Sequence, residues 1–287
     1  MDESLVRHRP IVLVPGACLG GWVWHSVAGR LRARGHDVFP VTLTGLGERV
    51  HLARGEVDLE THITDIVNLL EYEDITDAVL VGHSYSGIVV TGVADRCFER
   101  LNAVVYLDCS PLPDGMALAD VQPPEMRAAQ EAEVAERGEG WRWPVPDVAT
   151  LRTDAFGSTD GLSGKHLELL ERRGTPQPYL TFTSALRLTH EQPPGVRRAV
   201  VFCTAGGIDV ELLQHMLEEG DRRALMFAAA DWEFHEIATG HWPMFSEPEI
   251  TAELLGEIAD GPPPDAPGGP GAPGGPVGPV DPGDELI

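Results

Sequence analysis

The sequence is poor in cysteine, poor in positive charge and without any long apolar run, and each shortage excludes a class of protein. Its four cysteines (Cys18, Cys97, Cys109 and Cys203) stand far apart and show no C-x-x-C spacing. They read as small buried hydrophobes rather than as a disulfide framework or a thiolate metal site. Lys and Arg number 21 against 45 Asp and Glu, a net charge of −24. Phosphate backbones and anionic lipid surfaces recruit basic side chains, so neither nucleic acid nor a membrane is an expected partner. No apolar stretch reaches the roughly 18 residues of a membrane-spanning helix. Residues 1–10 carry charges and no apolar signal-peptide core, which makes a cytoplasmic protein the expectation. No cluster of His, Asp and Glu has ligand spacing along the chain, so no metal and no cofactor enter the reading.

What is present suffices for a sizeable core, since 43% of the 287 residues are apolar. Short apolar runs at Ile11-Val12-Leu13-Val14, Ala78-Val79-Leu80-Val81 and residues 103–107 and 199–203 read as buried strands. Between them, residues 22–34, 59–72 and 88–98 have helical spacing, clearest in the stripe Leu59, Ile63, Ile66, Val67 and Leu70. Residues 38–43 read as a strand nearer an edge because Pro40 interrupts them. After 199–203, helical sequence runs to about residue 230, 232–237 alternates as a last strand, and 247–258 closes as a helix. The class is therefore α/β: a mainly parallel sheet with helices on both faces. The alternation lapses over residues 111–190, too long for a plain loop, so an inserted helical cap is expected there. Residues 1–110 and 191–260 would form the core. Residues 261–287, almost wholly Gly, Pro, Ala and Asp, would be a disordered tail.

In such sheets the reactive groups sit on loops at the carboxyl ends of strands. Val81-Gly82-His83-Ser84-Tyr85-Ser86-Gly87-Ile88 places one serine on a sharp strand-to-helix turn, where small neighbours let the chain bend and the hydroxyl project. Ser84 is the candidate nucleophile, although Ser86 stands where the G-x-S-x-G pattern has glycine. A structural serine in a tight turn is the plainer reading, and the strand–turn–helix context weighs against it. Pro15-Gly16-Ala17-Cys18 follows the first strand, and the backbone N–H groups of Ala17 and Tyr85 are the candidate oxyanion donors. His241, on the loop after the last strand, is the candidate base. His83 lies in the elbow with its side chain expected to point away from the Ser84 hydroxyl. Two acids compete for the third position. Asp108 ends the strand before the cap and is favoured. Asp209 lies beyond the strand after the cap, where it can cap a helix instead.

Together these residues resemble the α/β-hydrolase superfamily, and more narrowly the plant methylesterase and hydroxynitrile lyase group with its bacterial relatives. The resemblance spans residues 9–260, rests on Leu13-Val14-Pro15-Gly16-Ala17-Cys18, Gly21-Trp22, Gly35-His36-Asp37-Val38, the Ser84 elbow and Gly240-His241, and is weakest in the cap. It implies a serine hydrolase fold and chemistry. Members usually have His-Gly where this chain has Pro15-Gly16, and hydroxynitrile lyases carry a lysine where Trp242 stands. Without that cation cyanohydrin cleavage is not expected. Many members take the acid from the strand after the cap, others from the strand before it, as Asp108 would be.

The cap offers Trp141, Trp143, Tyr179, Phe182 and Leu186 for an apolar pocket or for ordinary packing; Trp141, Trp143 and Gly16 are the candidate pocket residues. The expected activity is hydrolysis of a small, largely hydrophobic or aromatic carboxylic ester through an acyl-enzyme on Ser84. Two alternatives stay open: a lyase using the same triad for proton abstraction, and a small-molecule receptor retaining the fold. Oligomeric state is not written in the sequence, and a homodimer is one arrangement open to it.

Overall fold

The computed structural model describes residues 8–190, 193–221, 224–228 and 232–262. The first half of the fold is β1 (Ile11–Val14), α1 (His25–Ala33), β2 (Val38–Pro40), α2 (Leu59–Tyr72), β3 (Ala78–His83), α3 (Ser86–Cys97) and β4 (Leu101–Leu107). An insertion follows with α4 (Leu118–Val121), α5 (Pro124–Arg137), β5 (Arg142–Trp143), α6 (Val148–Leu151), α7 (Gly164–Arg173), β6 (Gln177–Pro178) and α8 (Leu180–Thr183). The chain then returns through β7 (Arg197–Cys203), α9 (Val210–Glu218), β8 (Trp232–Ile237), α10 (Pro243–Ser246) and α11 (Pro248–Asp260).

Six strands form one sheet in the order β2-β1-β3-β4-β7-β8, with every pairing parallel. The apolar runs are continuous because both faces are covered, as parallel strands require. Val12, Val14, Leu80, Val104 and Val200 face α2 and α3, whereas Ile11, Leu13, Val79, Val105 and Val201 face α1 and α11. Helix α2 begins at Asp58, whose carboxylate accepts the Thr61 N–H at 2.9 Å, and it buries the stripe Leu59, Ile63, Ile66 and Leu70.

Three expectations need correction. The edge strand β2 stops at Pro40 rather than 43, because the chain turns away there and Thr42 instead accepts the Gly21 N–H at 2.8 Å. The helix expected from residue 22 opens with a 3₁₀ turn, Gly21–Trp24. The insertion is not only helical: β5 and β6 pair antiparallel, Trp143 opposite Gln177. That pairing joins residues too distant for any local pattern to reveal. The expected tail lies outside the described residues, apart from Gly261 and Pro262.

Candidate active site

Strand register brings the candidate residues together. Val14 pairs with Gly82, His83 with Leu107, and Leu107 with Val201. The loops that follow, carrying Gly16 and Ala17, Ser84, and Asp108, therefore leave the sheet side by side at its carboxyl end. Ser84 has φ 53° and Asp108 φ 49°, left-handed conformations that aim both side chains above the sheet. Each carries about 1–3 kcal/mol of local strain, held by the surrounding structure. The Ser84 N–H donates to Leu107 O at 3.2 Å and the Asp108 N–H to Val201 O at 2.8 Å, fixing both turns.

The Ser84 hydroxyl donates to Nε2 of His241 at 2.8 Å, and Nδ1–H of His241 donates to Oδ2 of Asp108 at 2.5 Å. The other Asp108 oxygen accepts the Cys203 N–H at 3.0 Å. Burial pushes the Asp108 carboxyl up, but the hydrogen bond and charge of His241 and the Cys203 N–H outweigh it, leaving a net shift below the ordinary carboxylate range. Asp209 accepts from Leu212 N at 2.8 Å and caps α9. Its side chain is thus spent on a helix terminus, and Asp108 is the carboxylate that meets His241.

Gly16 faces the elbow: a Cβ there would come within 2.9 Å of the His83 ring and 3.1 Å of Ser84 Cβ. Only a bare backbone lets the loop after β1 approach this closely. Ser86, the departure from the glycine pattern, is fully buried, and its hydroxyl donates to the Pro15 carbonyl. The substituted side chain thereby ties the elbow to the loop bearing Ala17. From the insertion, Gln177 accepts the Cys18 N–H at 2.9 Å and Thr175 N–H donates to Cys18 O at 2.9 Å. The loop is thus held from both sides, and Ala17 and Tyr85 both line the cavity above Ser84.

Two histidines surround the site without joining the Ser84–His241–Asp108 chain. His83 donates through Nε2 to the His241 carbonyl at 2.7 Å, so it steadies the backbone of His241 and makes no bond to the Ser84 hydroxyl. Burial, and then its neighbour His241, push its pKa down to about 3, so it is neutral. His62 is buried on the apolar face of α2; its Nε2–H donates to Thr44 O at 2.9 Å, and Tyr85 donates its hydroxyl to Nδ1 at 2.8 Å. Burial lowers the His62 pKa to about 4. His62 therefore anchors the side chain of Tyr85, which lines the cavity next to Ser84. Its signal in the sequence was a polar residue inside the stripe Leu59, Ile63, Ile66. Gly157 was also unforeseen: a Cβ there would lie 2.4 Å from Cγ of His241, and Ser158 O accepts the His241 N–H at 2.7 Å.

The cavity measures about 430 Å³ and is lined chiefly by apolar side chains, among them Leu118, Trp143, Val145, Phe156 and Phe182. Trp143 and Gly16 line it, whereas Trp141, Tyr179 and Leu186 do not. Trp141 instead lies against Gly55, with the Arg142 guanidinium 5.3 Å from its ring centroid. A serine, a histidine and a carboxylate in one hydrogen-bonded chain beside an apolar cavity are an arrangement that acyl transfer can use.

A sequence profile of the alpha/beta hydrolase family matches residues 11–254. The chain belongs to that family. It is 32% identical over 255 residues to a carbendazim hydrolyzing esterase of Nocardioides sp. (strain SG-4G), covering 86% of this chain and 98% of the relative. It is 26% identical to methylesterase 10 of Arabidopsis thaliana over 90% of this chain and 94% of that one. In structure it resembles an extracellular alpha/beta-hydrolase from a Paenibacillus species described as homologous to tobacco salicylic acid binding protein 2. The TM-score is 0.72 at 22% identity, over 88% of this chain and 98% of that one. That last likeness speaks for the α/β-hydrolase fold.

Proposed function

We propose that this chain is a carboxylic ester hydrolase acting on small, largely hydrophobic or aromatic esters through an acyl-enzyme on Ser84. The observation that carries the reading is the unbroken hydrogen-bond chain from Ser84 through His241 to Asp108. Its relatives, an esterase and methylesterases, support the reaction class. Ser84 Oγ attacks the ester carbonyl as His241 Nε2 takes its proton. Asp108 holds the Nδ1–H tautomer and stabilises the imidazolium. The N–H groups of Ala17 and Tyr85 receive the oxyanion, a contribution of about 10²–10³ in rate for each donor. His241 then protonates the departing alcohol. Water, deprotonated by the same nitrogen, attacks the acyl-Ser84, releasing the acid and restoring the serine.

The apolar cavity supports the substrate class, since it offers area for a hydrophobic group and few polar contacts beyond the reacting ones. Residues 111–190 serve in this reading as the cap over the core, with Leu118, Trp143, Val145, Phe156 and Phe182 among its contributions to the pocket. The four cysteines are unpaired, which suits a reducing compartment, and we place the protein in the cytoplasm. No helix among the described residues is long and apolar enough to cross a membrane.

The test is hydrolysis of a panel of p-nitrophenyl and methyl esters by wild type and Ser84→Ala. Wild type is expected to turn over the apolar and aromatic members, and the variant to lose at least about 10³-fold in kcat. Turnover surviving in Ser84→Ala would overturn the nucleophile assignment. A wild type inert on every ester would overturn the hydrolase reading.

A further inference from the structure

At the amino ends of the strands, opposite the active site, three segments meet. His8 precedes β1, His36 precedes β2, and Asp260 is the last residue of α11. Nδ1 of His8 lies 2.9 and 3.2 Å from the two Asp260 oxygens, and Nε2 of His36 lies 3.9 Å from Oδ2. The His8 and His36 ring centroids are 4.7 Å apart, and one donor atom from each of the three residues falls within 4.8 Å of the others.

His36 is 3% exposed, and its Nε2 is buried without a hydrogen-bond partner. Its other nitrogen sits 3.1 Å from the carbonyl of Arg9. A carbonyl only accepts, so Nδ1 carries a proton, and Nε2 faces Asp260 without a hydrogen-bond partner. An imidazole whose second nitrogen donates to a backbone carbonyl is the arrangement that orients metal-ligating histidines. The 3.9 Å gap is too long for a hydrogen bond. An ion bound at about 2.0–2.2 Å holds its ligand atoms roughly 3.3 Å apart in tetrahedral geometry, so bridging the gap requires only small side-chain shifts. The neighbouring cations are engaged elsewhere. Arg9 bonds Asp77 and the carbonyls of Ala259 and Gly261, while Arg34 faces Glu253.

We propose that His8, His36 and Asp260 form a divalent-cation site of the zinc class, with solvent completing the coordination beside the half-exposed Asp260. Two imidazoles and one carboxylate are the donor set such an ion prefers over magnesium or calcium, which take oxygen ligands. The site ties together residues 252 positions apart, clamping the approach to β1 onto the end of the closing helix. Its distance from the cavity makes it structural.

The test uses the full chain, stripped with EDTA and titrated with zinc chloride by calorimetry and thermal melting at pH 7.5. One equivalent is expected to bind and raise the melting temperature, and EDTA to reverse the rise. His36→Gln and Asp260→Asn should each weaken binding at least tenfold, while p-nitrophenyl ester hydrolysis without zinc stays at the wild-type rate. If His36→Gln fails to fold, Asp260→Asn, at an exposed helix end, decides alone. Absence of saturable binding would overturn the proposal, as would binding that both variants leave unchanged. A deficit in the melting temperature of Asp260→Asn that is equal with and without zinc would make the cluster a plain hydrogen bond, which also overturns it.

Discussion

At the scale of single residues, the contest between Asp108 and Asp209 shows how side-chain partners decide a role that strand position leaves open. Both acids follow strands in the right half of the sheet. Asp108 reaches the His241 ring, whereas Asp209 accepts an N–H of its own helix. The two substitutions should therefore separate cleanly. Asp108→Asn is expected to lower kcat by about 10⁴, since an asparagine amide no longer holds the Nδ1–H tautomer. Asp209→Ala is expected to leave kcat alone and lower unfolding free energy by about 1 kcal/mol through loss of the helix cap. Steady-state kinetics and urea melts on both variants check this, and a collapse of kcat in Asp209→Ala would reverse the assignment. Ser84 was legible in the sequence from its strand–turn–helix pattern and His241 from its loop after the last strand, whereas Asp108 stood there only as the favoured of two acids. His62, Gln177 and Gly157 were not, because their roles arise from contacts across the insertion or between helix and elbow.

At the scale of elements, the loop after β1 depends on two clamps, Ser86 from the elbow and residues 175–177 from the insertion. Preorganisation is what gives backbone donors their effect, because a loop already in place needs no rearrangement as charge develops. Removing the Ser86 hydroxyl leaves the Pro15 carbonyl without that donor, a loss of about 1–3 kcal/mol for a buried acceptor. Ser86→Ala is expected to remain folded and to lose roughly tenfold in kcat with little change in KM. An unchanged kcat, measured on the best ester of the panel, would show that the insertion alone holds the loop. The two-stranded ribbon β5–β6 belongs to the same scale. It places Gln177 under the loop and Trp143 in the cavity, while Trp141, before the ribbon begins, lies against Gly55.

At the scale of the whole molecule, two fully buried histidines are held neutral by burial, with pKa values near 4 for His62 and near 3 for His83. An unfolded chain binds a proton at each below about pH 6.5, whereas the folded chain does so only well below that. Protons therefore favour the unfolded state, and stability is fully present above pH 6.5 and lost as pH falls toward the folded values. At pH 5 each group is expected to lower stability by about 2 kcal/mol relative to pH 7. Asp108, with its lowered pKa, acts in the same direction at still lower pH. Urea denaturation at pH 7, 6 and 5 reads the effect. A stability flat across that range would show that the two imidazoles are not kept neutral by the fold.

By itself the sequence determined the α/β class, the parallel order of alternation, the elbow at Ser84, the glycine-bearing loop at Gly16 and the position of His241. These are local matters: apolar runs, turn chemistry and helix spacing act over a few residues and are written in consecutive letters. Tertiary structure alone decided which acid meets His241, which tryptophan enters the cavity, what Ser86 does, and that His8, His36 and Asp260 share one corner. Each of those depends on strand register or on packing between distant segments. There a contact is fixed by the three-dimensional placement of whole elements, and no short stretch of sequence carries that information.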